Sequence, residues 1–433
     1  RADDGSALAS GVVPGIMGDC SGGQTPWGTI FSAEENVQDY YGDLEAWWTS
    51  RLAFVPEAGA DPGAPIEFNF EYDVDSAFGM NPDTQAMPMK DFYGYLVEID
   101  PGVEASVYYE SVNDDGEGVG HRKLGALGRA RWENMTVAVD ENWELTDDQP
   151  IVIYAANDRR GGRIYKFVSA EPYAAGMSVA ETRALLDEGT IYVSHFAGLD
   201  NETGFTVGGE VPTMDAPVEG QWLELSLAST DLAPNGEALG NAEMTIGEAL
   251  QDLEGTGIGG FTSENDVKLA LFTAAAKVGV KEQNRPEDIE WNANDPSGTP
   301  TLYVAFTKHG RPNTLDMDGV LYDPATQADE SPVRDDPTGS IFAMVEADPA
   351  NPAESKTFQY YAAWVGTEGI GPFDVANPDN LMIDADGGLW FGTDGNFGFN
   401  GTADALYYLD QDPAHAETYG LPIRVTAGPS DSE

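Results

Sequence analysis

Short apolar and aromatic runs, separated by clusters of glycine, proline and acidic residues, recur along most of this chain and restrict it to an architecture of many short strands. They fall at Ile66–Tyr72, Phe92–Ile99, Thr136–Val139, Ile151–Ala155, Arg163–Ser169, Ile191–Phe196, Trp222–Leu227, Leu302–Thr307, Ser340–Glu346, Leu381–Ile383, Leu389–Gly392 and Ala405–Leu409. Runs of this kind between turn residues read as strands, and 50 Gly and 27 Pro supply the punctuation. A two-sheet sandwich needs only ~100 residues, whereas the pattern here persists through 433. A single all-β domain over residues 1–433, built as a β-propeller, accounts for the series better. No repeat is visible, so the blades cannot be counted from the sequence.

Two helical segments interrupt the strands. Ser178–Glu188 opens on Ser-Val-Ala-Glu, a capping-box pattern, and Ser263–Val278 places Val267, Leu271, Ala274 and Val278 at helical spacing. With Gly240–Gly260 the second forms a helical insertion at about 240–280. The stretch Asp316–Asp336, rich in Asp, Pro and Thr, reads as a surface loop.

Charge narrows the setting. Asp and Glu number 75 against 21 Lys and Arg, for a net charge of −54, yet 41% of residues are apolar. A disordered acidic chain would lack the aromatics present here. A folded chain with such a surface repels itself in ordinary salt, and molar salt, with a Debye length of ~3 Å, removes most of that repulsion. An extreme halophile is therefore the expected source. The same charge excludes nucleic acid and anionic membranes as partners, and an anionic substrate would need cations concentrated locally, which bound metals supply.

No apolar run approaches the ~20 residues of a transmembrane helix. The chain opens Arg-Ala-Asp-Asp without a signal peptide, so the expectation is either export followed by processing or a fragment. Sequons at Asn134, Asn201 and Asn400 are compatible with a secreted or cell-surface location. One cysteine permits no internal disulfide.

That cysteine begins the most informative stretch, Asp19-Cys-Ser-Gly-Gly-Gln-Thr-Pro-Trp-Gly-Thr-Ile-Phe-Ser-Ala-Glu-Glu-Asn36. An isolated cysteine is usually a small buried hydrophobe. Here Ser21, Gly22 and Gly23 bend the chain after the thiol, Trp27–Ala33 reads as a strand, and Glu34 and Glu35 then point to opposite faces. One carboxylate can thus share a cavity with the thiol. Further acidic segments are Arg129-Ala-Arg-Trp-Glu133, Ala156-Asn-Asp-Arg-Arg160, Asn284-Arg-Pro-Glu-Asp-Ile-Glu290, and the pair Asn377-Pro-Asp-Asn-Leu381 and Gly392-Thr-Asp-Gly395. Asp384-Ala-Asp-Gly387 lacks the remaining ligands of an EF-hand and reads as a hairpin turn. His121, His195, His309 and His415 are scattered without zinc-ligand spacing, and no Gly-x-Ser-x-Gly elbow is present.

The Cys20 stretch resembles the signature of the PhoX alkaline phosphatases, and Tyr93–Pro101, Gly128–Glu133, Tyr165–Val168, Leu185–Val193 and Arg285–Asp288 match in the family's order. The resemblance implies a propeller, taken as six-bladed and incomplete at both ends. It also implies a phosphate-ester substrate and a site of iron and calcium. Cys20, Glu133 and Glu287 would hold iron, while Glu35, Asp158, Asp379, Asn380 and Asp394 would contribute to calcium sites. Arg285 would bind phosphate, a task suited to its planar fork. Trp132 stands where the family more often has histidine, and Asn157 and Arg159 depart from its usual acids. The alternative is a non-catalytic, calcium-stabilised propeller acting as a surface or assembly component, including a homo-oligomer. A calcium lactonase would leave Cys20 without a role.

Overall fold

The computed structural model describes residues 15–37, 93–104, 108 and 120–427, short of 160, 201–202, 253–259, 313–314, 317, 321–332, 370, 372, 396–399 and 402. The run expected at Ile66–Tyr72, the sequon at Asn201 and much of the 316–336 segment lie outside those residues.

The described chain is predominantly antiparallel β-structure. A three-stranded sheet comes first, β1 (Ile30–Ala33), β2 (Leu96–Ile99) and β3 (His121–Lys123). A nine-stranded sheet follows, from β4 (Trp132–Val137), β5 (Pro150–Asn157), β6 (Ile164–Pro172), β7 (Gly189–His195), β8 (Val218–Glu224), β9 (Pro286–Asn292) and β10 (Thr301–Phe306). After a short ladder of β11 (His309–Pro312), which precedes the expected loop, and β12 (Val333–Asp336), which takes its last residues, β13 (Ser340–Glu346) and β14 (Thr357–Val365) complete the nine-stranded sheet. Its order is β4-β5-β6-β7-β8-β14-β13-β10-β9. The meander β15 (Pro378–Ile383), β16 (Leu389–Thr393), β17 (Ala405–Leu409) and β18 (Pro422–Ala427) forms the last sheet, with the strand number and order of a propeller blade.

The nine-stranded sheet curls until its two edges, β4 and β9, meet. No backbone ladder joins them; side chains do. Thr136 Oγ1 accepts from Trp291 N at 3.2 Å, and Asn134 Nδ2 donates to Asp288. The period of two along β10 divides its residues between two cores. Leu302, Val304 and Phe306 enter the larger one with Phe342, Met344 and Tyr360. Tyr303 and Ala305 pack with Leu381, Phe391, Tyr407 and Leu409 of the last sheet. Burial on both faces explains why this strand is an unbroken apolar and aromatic run.

The helix α1 (Val179–Ala184) carries the expected capping box, with Ser178 and Glu181 bonding each other's backbone amides. The insertion holds α2 (Ile246–Gln251), α3 (Glu264–Leu269) and α4 (Leu271–Lys277). The single helix expected over Ser263–Val278 is broken at Ala270, whose φ is −145°. Its physical reason is a diverted carbonyl. Lys268 C=O, which a continuous helix would give to the Phe272 amide, accepts from Arg129 N at 2.7 Å.

Candidate metal centre

Residues 18–23 lie between β1 and β4, which brings the thiol to acids distant in sequence. Cys20 N donates to Ala33 C=O at 2.9 Å, and Ser21 N donates to Glu133 C=O at 3.1 Å. Across the same gap Trp132 N donates to Glu34 C=O at 3.2 Å. Gly22 must be glycine here, because a Cβ would lie 2.0 Å from the Phe31 carbonyl oxygen.

Glu34 and Glu35 diverge as consecutive strand residues should. Glu34, fully buried, accepts from Lys123 Nζ at 2.6 Å, from Met17 N and Gly94 N at 2.9 Å each, and from Tyr95 N at 3.0 Å. Glu35 turns to the other side and gathers with Cys20 and Glu133, their ligand atoms all within 4.8 Å of one another. A second group, Glu133, Glu287 and Asp379, meets the same limit. Glu133 on β4 belongs to both. The groups therefore draw on the Cys20 segment, the end of β1, and the starts of β4, β9 and β15.

Arg285 stands beside them with φ +28°, a conformation side chains rarely adopt. Its Nε donates to Asp158 Oδ1 at 2.9 Å, and its Nη2 reaches Asp158 Oδ2 at 2.6 Å and Glu287 Oε1 at 2.9 Å. Asp158, just after β5, is thus an anchor for the guanidinium. Asn380 lies outside both groups, exposed at the start of β15 and near enough to Asp288 to act on it. Asp394 is exposed, also outside the groups, but close enough to Asp379 to act on it electrostatically. Of the histidines whose side chains are described, His121, His195 and His415, none enters the centre. Half-buried His195 accepts from Lys281 N at 3.3 Å, and desolvation holds its pKa down to about 4.

Burial, reinforced by the crowding of like charges, dominates the electrostatics. Burial, then Glu35 and Asp158, push Glu133 up to about 9. Burial and Asp158 push Glu35 up to about 8, and burial and Asp394 push Asp379 up to about 7. Glu287 is raised well above the carboxylate range by burial and Asp158, and the thiol of Cys20, a residue exposed on its outer side, is raised by partial burial and Glu133. Burial alone would lower Arg285, but Asp158 and Glu287 hold it firmly protonated.

Such a cluster keeps its acids charged only if cations enter it. Glu133 Oε1 is buried with no hydrogen-bond partner, the condition of a ligand atom awaiting one. One thiol and several carboxylates form a donor set that fits metal ions.

Sequence reading missed the amide and acid layer behind these ligands. Asn134, Asp288 and Asn377 are all buried, and both side-chain polar atoms of Asn377 lack partners. Alternation along β9 was the available signal, since it sends Asp288 to the face opposite Glu287.

The fold and the donor groups define a class, an all-β, propeller-like protein with a thiol-and-carboxylate cluster that could hold metal. A family profile described as Alkaline phosphatase PhoX matches residues 9–421, and the chain belongs to that family. Among solved structures it is similar to Pseudomonas fluorescens PhoX in complex with vanadate, a transition state analogue, with a TM-score of 0.56 and 24% identity. That match covers 96% of this chain and 61% of the other, so the chain spans about three fifths of that relative's length. No curated protein matches it. Among the described residues no helix is long and apolar enough to cross a membrane.

Proposed function

We propose that the chain is a metal-dependent phosphatase that hydrolyses phosphate esters, secreted by or attached to the surface of an extreme halophile. One observation carries the reading: two donor groups share Glu133 and lie beside an arginine fork. In this assignment Cys20, Glu35 and Glu133 hold iron, because a thiolate selects a softer metal than oxygen donors alone. Glu133, Glu287 and Asp379 form the oxygen-only side, suited to calcium. Glu133 belongs to both, and Asp158, Asn380 and Asp394 surround them. When bound, the cations neutralise phosphate oxygens and lower the pKa of a water molecule.

Arg285 binds the ester's phosphate through its plane. Asp158 and Glu287 occupy Nε and Nη2 and fix the guanidinium's orientation, leaving Nη1 to donate to a phosphate oxygen. Glu133, Glu35 and Asp379 give up protons as metal loads, so loading releases acid. The surface charge of −54 adds a requirement for salt, which screens the approach of an anionic ester.

The test is turnover of p-nitrophenyl phosphate at molar salt with calcium and iron supplied, together with the visible spectrum. An iron–thiolate absorption band and turnover, both lost in Cys20→Ala, are expected. A colourless, iron-free protein without turnover returns the chain to the calcium-stabilised, non-catalytic propeller.

A further inference from the structure

Asp288 is a carboxylate outside both donor groups. It is 2% exposed and sits on β9 immediately after Glu287. Its Oδ1 accepts from Ile289 N at 2.7 Å and from Asn134 Nδ2, and its Oδ2 accepts from Leu381 N at 2.8 Å. The exposed Asn380 side chain also lies close enough to act on it.

These partners lie on three different segments, and each stands beside a metal-centre acid in sequence. Asn134 follows Glu133 on β4, Asn380 and Leu381 follow Asp379 on β15, and Asp288 itself follows Glu287. The three neighbours are the three members of the second donor group. The centre moreover straddles the seam where β4 meets β9 without a backbone ladder, so strand pairing does not fix the spacing of Glu133 and Glu287 there.

We propose that Asp288 is the positioning residue of the oxygen-only metal site. It fastens β4, β9 and β15 together so that Glu133, Glu287 and Asp379 present their oxygens at one point. This rests on the metal-centre reading above. The side chain does not touch metal or substrate in this role. It acts through the backbone amide of Leu381 and the amides of Asn134 and Asn380, as outer-shell groups do at metal sites.

A second contact across the seam provides the control. Thr136 Oγ1 accepts from Trp291 N at 3.2 Å and bonds Glu290 at 3.3 Å, but its neighbours in sequence are not ligands. If Asp288 only closed the sheet, removing the Thr136 contact would have the same consequences.

Calcium binding to the full-length protein, measured by calorimetry in high salt, with iron counted by mass spectrometry and Tm recorded with and without metal, decides the matter. Asp288→Asn is expected to weaken calcium binding about 10- to 100-fold, the usual cost of losing an outer-shell partner, and to shrink the metal-induced rise in Tm. Iron on the Cys20 side is retained. Thr136→Val should lower the metal-free Tm and leave calcium affinity within about twofold of wild type. Asn134→Asp combined with Asp288→Asn, which restores one donor–acceptor pair, recovers part of the affinity. Wild-type calcium affinity in Asp288→Asn overturns the proposal, as does equal loss in Thr136→Val. A wild-type protein that binds no metal instead overturns the reading on which it rests.

Discussion

Two buried carboxylates, Glu98 on β2 and Glu133 on β4, meet opposite fates. Glu98 is 0% exposed and fully served by its own chain. Trp27 Nε1, Thr29 Oγ1 and Arg122 Nε each donate to it at 2.8 Å, and Arg183 Nε donates at 3.0 Å. Despite burial, Arg122 and Arg183 hold its carboxyl below the usual range. Glu133 is almost as buried, at 2%, but its neighbours are a thiol and other acids, and its Oε1 has no partner. A sequence that commits two arginines to Glu98 could have balanced Glu133 in the same way. That it gathers acids there instead marks a place where charge balance comes from outside the chain.

Exchanging each acid for its amide should separate the two cases most widely. Glu133→Gln removes the ligand shared by both donor groups. Phosphatase activity is expected to fall by at least about a hundredfold, the order seen when one electrostatic contact in an active site is removed. The metal-free protein should hold or gain stability, because one member of a repelling cluster is gone. Glu98→Gln leaves Arg122 and Arg183 without their buried counter-charge and should cost about 3–5 kcal/mol by denaturant unfolding. Matched destabilisation by the two substitutions would erase the distinction.

A smaller effect is expected at the guanidinium. Arg285→Lys keeps the charge but not the fork that joins Asp158 to Glu287. Turnover should drop about 10- to 100-fold, with phosphate inhibition weakened in parallel, since a lysine cannot hold both acids and still present a fixed further donor to phosphate. Unchanged phosphate inhibition would show that Arg285 serves only to hold the two acids.

Much of this contrast was visible in the sequence, but only one side at a time. The strand series was legible because alternation and turn residues are local signals, and the β15–β16 hairpin followed from Asp384, which accepts from Asp386 N at 3.0 Å and Gly388 N at 2.9 Å. The divergence of Glu34 from Glu35 was legible for the same reason. Which acids come within reach of one another was not legible: the structure gathers Glu35 with Cys20 and Glu133, and Asp379 with Glu133 and Glu287. Which acids meet depends on how a nine-stranded sheet curls to bring β4 against β9, and no short stretch of sequence encodes that curvature. Asp288 was hidden likewise, because its partners lie 93 and 154 residues away.

The comparison also predicts opposite pH responses once metal is removed. Glu133, Glu35 and Asp379 have folded-state pKa values of about 9, 8 and 7, raised from ordinary values of 4.5, 4.5 and 3.8. Above the ordinary values the unfolded chain has released these protons while the folded protein still holds them. Folding therefore binds protons, and stability falls as pH rises from about 4 to about 9. Glu98 has the reverse sign. Its lowered pKa contributes stability above the ordinary value of 4.5, and that contribution is lost as pH falls through the folded value. In chelator and constant high salt, Tm should thus decline steadily toward alkaline pH. Restoring metal should flatten the decline and release protons measurable by calorimetry in buffers of different ionisation enthalpy. The Glu133→Gln variant should lose part of the slope, and Glu98→Gln should leave the alkaline decline in place. A metal-free protein whose Tm rises between neutral and alkaline pH would mean that cations of the chain already balance the cluster, and Glu133 would then belong with Glu98.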